Sequence, residues 1–354
     1  MVGSVTRPTI LQKNEYNHFL SSELTTRSHN KKYSVLMTTQ RNDFDPKAYN
    51  PEFEWGFLAP KYWGTWIAVM LSSLVSFLPN SIRLAMAKFM AKQAVKIKNK
   101  ANRRARVNLE MCFPEQSIEE REEVLYKSYV TSISFLIGFA SLTLKNKDWL
   151  ESNTSINGLS NLTDITNSGE NVILLVPHTW AIDIPAVLLA SRNLPVSAMA
   201  KAQKNKLSDW LMHRQRVQYG GRVYDRSGGI KPFIKSVRDG YLGYYLPDED
   251  LGREHSVFVD FFATQKATIS GLGRLSKLSR AKIIPLFAQY DSNTGQYTLD
   301  FYPALPFPTE SEEQDARMMN QCIEDYVSKK PEQYMWILRL LKTRPDSNVN
   351  PYNS

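Results

Sequence analysis

Between residues 171 and 190 the chain reads NVILLVPHTWAIDIPAVLLA, and its hydrophobic pattern changes period inside that span. Residues 172–176 are consecutive β-branched and aliphatic residues, which predicts a strand buried on both faces. Pro177 ends the strand and His178 falls in the turn. From Trp180 the Ala- and Leu-rich spacing predicts a helix with Asp183 in its first turns. Downstream the pattern alternates, with strands predicted at 195–200, 222–224, 243–246, 282–288 and 297–302 and an apolar run at 258–262. Helices are predicted between them at 206–219, 230–239 and 271–279, and at 313–327 near the end. Alternation of this kind predicts an α/β fold with a largely parallel central sheet flanked by helices. Upstream, Ser117 with Glu120 three residues on forms a capping-box signature and opens an apolar helix reaching about residue 144.

The N-terminal third reads differently. Residues 1–60 are polar without sustained periodicity and are expected to form a disordered tail. Residues 61–80 enclose an uncharged run, YWGTWIAVMLSSLVSFL, with Tyr62, Trp63 and Trp66 at one end and Pro79 just past the other. A spanning helix needs roughly 17–25 apolar residues, so the run sits at the lower edge. The next stretch, 81–110, carries nine Lys or Arg between Arg83 and Arg106 and no acid in that interval. An aromatic belt, an apolar run and a basic stretch together predict a membrane anchor, spanning or lying in the interface, with the basic side cytoplasmic. The basic stretch itself is expected to form an amphipathic linker helix, and 111–354 the catalytic domain.

Composition narrows the partners. The 354 residues carry a formal net charge of +9, which suits an anionic partner such as a membrane surface, a phosphorylated substrate or nucleic acid. No aromatic or Gly-rich reading motif accompanies the basic residues, so nucleic acid is not expected. Cys112 and Cys322 lie far apart, which fits a reducing compartment and no disulfide framework. Two glycosylation-type triplets, at Asn153 and Asn161, are read as chance matches. No cluster of Cys and His has metal-binding spacing, so neither metal nor organic cofactor is expected.

Candidate chemistry centres on His178 and Asp183, an H-x-x-x-x-D pattern. Five positions apart on a helix, two side chains diverge by about 140°. The pair can meet only if His178 lies ahead of the helix, and the strand–Pro–His order allows that. Asp183 would then accept the imidazole N–H, fix its tautomer and stabilise the imidazolium as His178 removes a hydroxyl proton. Three further elements fall at predicted strand ends. Arg226 is placed to clamp a phosphate, Gly228 and its neighbour Gly229 to admit a ligand close to the backbone, and the acidic turn holding Asp248 and Asp250 to contact substrate.

The blocks VPHTWAIDIPA, GGRVYDRSGGIKPFIKSVRDGYLGYYLPDEDLG, EHSVFVDFFATQKAT and PEQYMWILRLLKTRP together resemble the late acyltransferases of lipid A assembly in Gram-negative bacteria. The resemblance runs from about residue 50 to the end and is nearest to the branch that adds the last myristoyl or lauroyl group. It implies a glycerolipid acyltransferase-like fold with an N-terminal membrane-anchoring helix, at the inner membrane with the catalytic domain on the cytoplasmic face. It implies transfer of a fatty acyl chain from acyl carrier protein to the hydroxyl of a 3-hydroxyacyl chain of Kdo-lipid A. His178 would be the general base and Asp183 its partner. Arg226 aligns with the block that contacts the acceptor's phosphate or sugar, and Asp248 and Asp250 with the third block, where related enzymes carry Pro-Glu-Gly. A lysophospholipid or glycerol-phosphate acyltransferase shares the His–Asp logic, and a non-catalytic membrane-surface protein would use the basic helix alone.

Overall fold

A computed structural model describes residues 45–346 and 349–353. Ten helices of eight or more residues occur among them: α1 Trp63–Ser76, α2 Asn80–Ala94, α3 Lys100–Cys112, α4 Ile118–Gly138, α5 Ser160–Asn167, α6 Asp183–Ser191, α7 Lys206–Arg216, α8 Lys231–Arg238, α9 Leu272–Ser279 and α10 Glu312–Val327. The strands are β1 Thr154–Asn157, β2 Asn171–Leu175, β3 Val196–Ala200, β4 Arg222–Asp225, β5 Leu242–Tyr245, β6 Ser256–Phe261, β7 Thr264–Ile269, β8 Ala281–Asp291 and β9 Gln296–Phe301. Seven strands form one sheet in the order β1-β9-β8-β2-β5-β3-β4, parallel throughout except where β8 meets β9. The mixed α/β architecture with a mostly parallel sheet is therefore as the alternating pattern predicts. Strand β1 and the β6–β7 hairpin were not legible, because four polar residues, TSIN, and the hairpin's mixed TQKATI give no clear period.

Strand β2 lies in the middle, and its side chains supply both faces of the core. Ile173 and Leu175 join the cluster under α3, α8 and α10, while Val172, Leu174 and Val176 join the cluster under α6. All five are fully buried, at about 1.5–3 kcal/mol of burial each. That is why the run shows no alternation.

Helix α4 opens with the capping box read from the sequence: Ser117 Oγ accepts from Glu120 N, and Glu120 Oε2 accepts from Ser117 N at 2.7 Å. The basic stretch, expected as one helix, divides into α2 and α3. Asn102 donates to the carbonyls of Ala94 and Ile97, and Asn99 caps α3 by accepting from Asn102 N at 2.8 Å. Those side-chain bonds satisfy the carbonyls at the end of α2 and make the break stable.

Of the expected tail, residues 1–44 lie outside the described residues. The remainder, from Asp45, is packed on the domain: Tyr49 N donates to Val223 O at 2.7 Å, and Tyr224 Oη donates to Asp45 at 2.8 Å.

Helix α1 is fourteen residues long, about 21 Å at 1.5 Å per residue, against a bilayer core near 30 Å. By length and composition the candidate membrane span is instead Ile118–Leu144, and half of its apolar window is buried in the protein. Leu125 and Phe135 of this helix belong to the two core clusters. Helix α1 is inverted relative to a soluble helix. Trp63, Ile67, Met70, Leu71, Leu74 and Phe77 face outward and more than half of each is exposed, whereas Ser72, Ser73 and Ser76 face inward.

Candidate active site

Strands β2 and β5 are parallel neighbours, with Leu175 opposite Tyr245. Three residues beyond that register pair, each strand has run into a proline turn and presents a titratable side chain, His178 after Pro177 and Asp248 after Pro247. The shared offset brings the two together. His178 Nδ1 lies 2.5 Å from Asp248 Oδ1, and the His178 backbone N–H donates to Asp248 Oδ2 at 2.7 Å. Both carboxylate oxygens are therefore committed to one residue, and Asp248 is fully buried.

The electrostatics follow from that pairing. Burial alone would lower the His178 pKa, but the charge of Asp248, the hydrogen bond to it and the charge of Glu249 outweigh burial, and the net shift is upward. Burial alone would raise the Asp248 carboxyl, yet His178 and the buried Lys266 hold it below the usual carboxylate range. With Nδ1–H donated to Asp248, Nε2 is the nitrogen left with a lone pair. It stands 3.9 Å from Glu249 Oε1.

The turn carrying His178 is clamped from several sides. Met335 N donates to His178 O at 2.9 Å, Trp180 N to Gln333 O at 3.1 Å, and Tyr244 Oη to Ile182 O at 2.6 Å. Trp180 Nε1 donates to Ser128 Oγ at 3.0 Å. The clamping segment is itself held by α3, where Asn108 Nδ2 donates to Trp336 O at 2.6 Å and Arg104 Nε to Ile337 O at 2.8 Å. The PEQYMW block thus acts on His178 through its backbone.

Asp183 is placed differently from the expectation. It opens α6, and its two oxygens accept from Arg216 at 2.7 and 3.4 Å. The hydrogen-bonding partner of the imidazole is Asp248, not Asp183. The physical reason is the parallel register of β2 and β5, which delivers a carboxylate to Nδ1 before the chain reaches α6. Arg226 is where the sequence puts it, at the end of β4, and its Nη1 donates to Glu249 Oε2 at 2.6 Å. Gly228 closes a short 3-10 turn, with open space where a side chain would stand. Asp250 is a loop organiser: it accepts from Gly252 N at 3.0 Å and Thr343 N at 2.5 Å. Glu249, between the two expected aspartates, was missed. It joins Arg226 to the surroundings of Nε2, and the middle one of three consecutive acids in a PDED turn offers no signal that distinguishes it from its neighbours.

His178, Asp183, Arg216, Arg226 and Glu249 line a cavity of about 1290 Å³, while Asp248 and Asp250 lie behind it. Its walls are mostly apolar and come from α1, α4, α6 and α7, with Phe135, Phe139, Trp210 and Leu211 among them. Such a volume accommodates a long aliphatic chain with a polar end group at the histidine. The described residues contain no group of three or more His, Cys, Asp or Glu placed to hold a metal ion.

The sequence profile for bacterial lipid A biosynthesis acyltransferases matches residues 50–343. A lipid A biosynthesis acyltransferase of Haemophilus influenzae is 40% identical over 301 residues, covering 84% of this chain and 93% of that protein. The lipid A biosynthesis myristoyltransferase of Escherichia coli is 40% identical over 317 residues, 89% of this chain and 97% of that one. The lauroyltransferase of the same organism is 28% identical over 304 residues, 85% and 99% of the two chains. The chain belongs to the bacterial lipid A biosynthesis acyltransferase family.

Proposed function

We propose that the protein transfers a fatty acyl chain, lauroyl, myristoyl or similar, from acyl carrier protein to a hydroxyl of a 3-hydroxyacyl chain on Kdo-lipid A, late in lipid A assembly. The observation that carries this reading is His178, with Nδ1 tied to a buried carboxylate at the wall of a large apolar cavity. In the mechanism, Nε2 accepts the acceptor's hydroxyl proton as that oxygen attacks the thioester carbonyl. Asp248 takes the orienting role first expected of Asp183: it fixes the tautomer and stabilises the imidazolium. The proton then passes to the departing thiolate, so thiol and ester leave with no net proton change. Asp183 anchors Arg216 at the cavity wall, and Arg226 with Glu249 offers a cation and an acceptor to the polar part of the substrate.

The outward apolar face of α1 continues into Ile82, Phe89 and Met90 of α2, all at least 45% exposed. Exposed lysines 88, 92, 96, 98 and 100 stand beside it. Apolar side chains flanked by cations fit an anionic bilayer surface, and the 21 Å length estimated for α1 fits a helix lying in the interface better than one crossing it. This supports placement at the cytoplasmic face of the inner membrane, with the inward face of α1 forming cavity wall. The acyl donor, an acidic carrier protein, would be drawn to the same basic side.

Mass spectrometry of lipid A from a strain lacking the gene tests the substrate. Loss of one secondary acyl chain is expected, and an unchanged acyl count would overturn the reading in favour of a smaller lipid acceptor.

A further inference from the structure

The guanidinium that the sequence offers to a phosphate already has a carboxylate. Arg226 Nη1 donates to Glu249 Oε2 at 2.6 Å, and both partly exposed side chains line the cavity. The other oxygen, Glu249 Oε1, lies 3.9 Å from His178 Nε2. That is too far for a hydrogen bond, but it sets a negative charge beside the atom where the acceptor's hydroxyl must arrive. The Glu249 backbone is held on both sides. Asp248 gives its two oxygens to His178, and Asp250 accepts from Gly252 N and Thr343 N. The carboxylate therefore stays within a side chain's length of Nε2 and of Arg226. Together Arg226 and Glu249 form a neutral pair with a donor and an acceptor, which suits an uncharged polar group. A phosphate in the same place meets a carboxylate that cannot leave with its loop.

We propose that Glu249 is a specificity-determining residue: it admits an acceptor whose reacting hydroxyl is remote from phosphate and rejects one in which the two are adjacent. The inference rests on the function proposed above and names how that site chooses its acceptor. In lysophosphatidate four bonds separate the free hydroxyl oxygen from phosphorus, at most about 5 Å at ordinary bond lengths. With that hydroxyl at Nε2, the phosphate falls within reach of the Glu249 carboxylate, and like charges at such a separation repel strongly near a protein surface. A 3-hydroxyacyl chain differs in kind. Its own carbons and its carbonyl linkage lie between the hydroxyl and the phosphorylated head, so the group it brings to Arg226 and Glu249 is uncharged. Discrimination here comes from a built-in repulsion rather than from an added attraction.

The test compares acceptors on the purified full-length protein with one acyl carrier protein donor: Kdo-lipid A, lysophosphatidate, and monoacylglycerol, which is lysophosphatidate without its phosphate. Glu249→Gln keeps the shape and removes the charge. It is expected to raise kcat/KM for lysophosphatidate relative to Kdo-lipid A by roughly tenfold. The ratio cancels whatever the substitution does to the base itself. The corresponding ratio for monoacylglycerol is expected to stay in place. An unmoved lysophosphatidate ratio overturns the proposal, as does an equal rise for monoacylglycerol, which would mean added space rather than lost repulsion. If neither protein turns lysophosphatidate over, its inhibition constant against Kdo-lipid A decides: a roughly tenfold fall in Glu249→Gln supports the proposal, and equal constants overturn it. A wild type that acylates Kdo-lipid A while Glu249→Gln moves no ratio refutes the specificity role alone. A wild type that prefers lysophosphatidate to Kdo-lipid A refutes the proposed function and this inference with it.

Discussion

His178 and Asp248 are three residues past a register pair of parallel strands, and most of the site's chemistry reduces to that fact. Asp248 and Glu249 raise the imidazole's pKa above its ordinary 6.5 although burial opposes them. The folded protein therefore binds this proton more tightly than the unfolded chain does. Stabilisation from the charged pair is complete below pH ~6.5 and is lost as pH rises through the raised value. His178→Ala is accordingly expected to cost more stability at about pH 5.5 than at about pH 8.5, read from denaturant unfolding at the two values. Under the proposed mechanism activity has the opposite dependence, since the neutral imidazole would be the base. The acid limb of kcat/KM should lie above 6.5 in the wild type, move to lower pH in Asp248→Asn, and stay in place in Asp183→Asn. Equal displacement by the two asparagine variants would contradict the pairing. The strand–proline–histidine turn was legible in the sequence, but the acid bonded to the imidazole is Asp248 and not the nearer Asp183. A usable signal was present: V-P-H after β2 and L-P-D after β5 are the same strand–proline–titratable pattern. Reading it requires knowing that those two strands are adjacent, which depends on long-range sheet order rather than local pattern.

At the scale of elements, periodicity located the strands and helices of the α/β region, because each buries a continuous apolar stripe or run. It failed where polar side chains terminate structure from a distance, as Asn102 does between α2 and α3. The PEQYMW segment shows the same limit, since its contribution is made through backbone groups that composition does not reveal. Asn108 donates to Trp336 O in that segment and to Leu338 O just past it, and accepts from Tyr352 Oη. Asn108→Ala is expected to cost about 1–3 kcal/mol of stability, the range for stranding buried polar partners. Loss of kcat should exceed any rise in KM, because the His178 turn loosens. A variant of wild-type stability and rate would show that the segment does not hold the turn. Helix α1 carries an expectation of its own. Ile67→Glu with Leu74→Glu adds charge to the outward face and should release the protein from anionic vesicles while leaving the fold intact by circular dichroism. Unchanged cosedimentation would mean that the basic side chains of α2 and α3 suffice.

Across the whole molecule, one face combines the inverted helix α1, the lysines that follow it and a cavity whose walls include both α1 and the histidine turn. That juxtaposition suits the proposed acceptor, with acyl chains in lipid and a phosphorylated head in water. Acyl transfer through His178 is the central proposal. The direct measurement is an assay of the purified full-length protein with Kdo-lipid A acceptors and acyl carrier proteins loaded with chains of different length, the products weighed by mass spectrometry. Wild type should add the mass of one acyl group at the expense of the carrier thioester, and His178→Ala should do so about 10²–10⁴-fold more slowly, the range for loss of a general base. Transfer by His178→Ala at the wild-type rate, or no acyl addition by the wild type with any chain length, would contradict it.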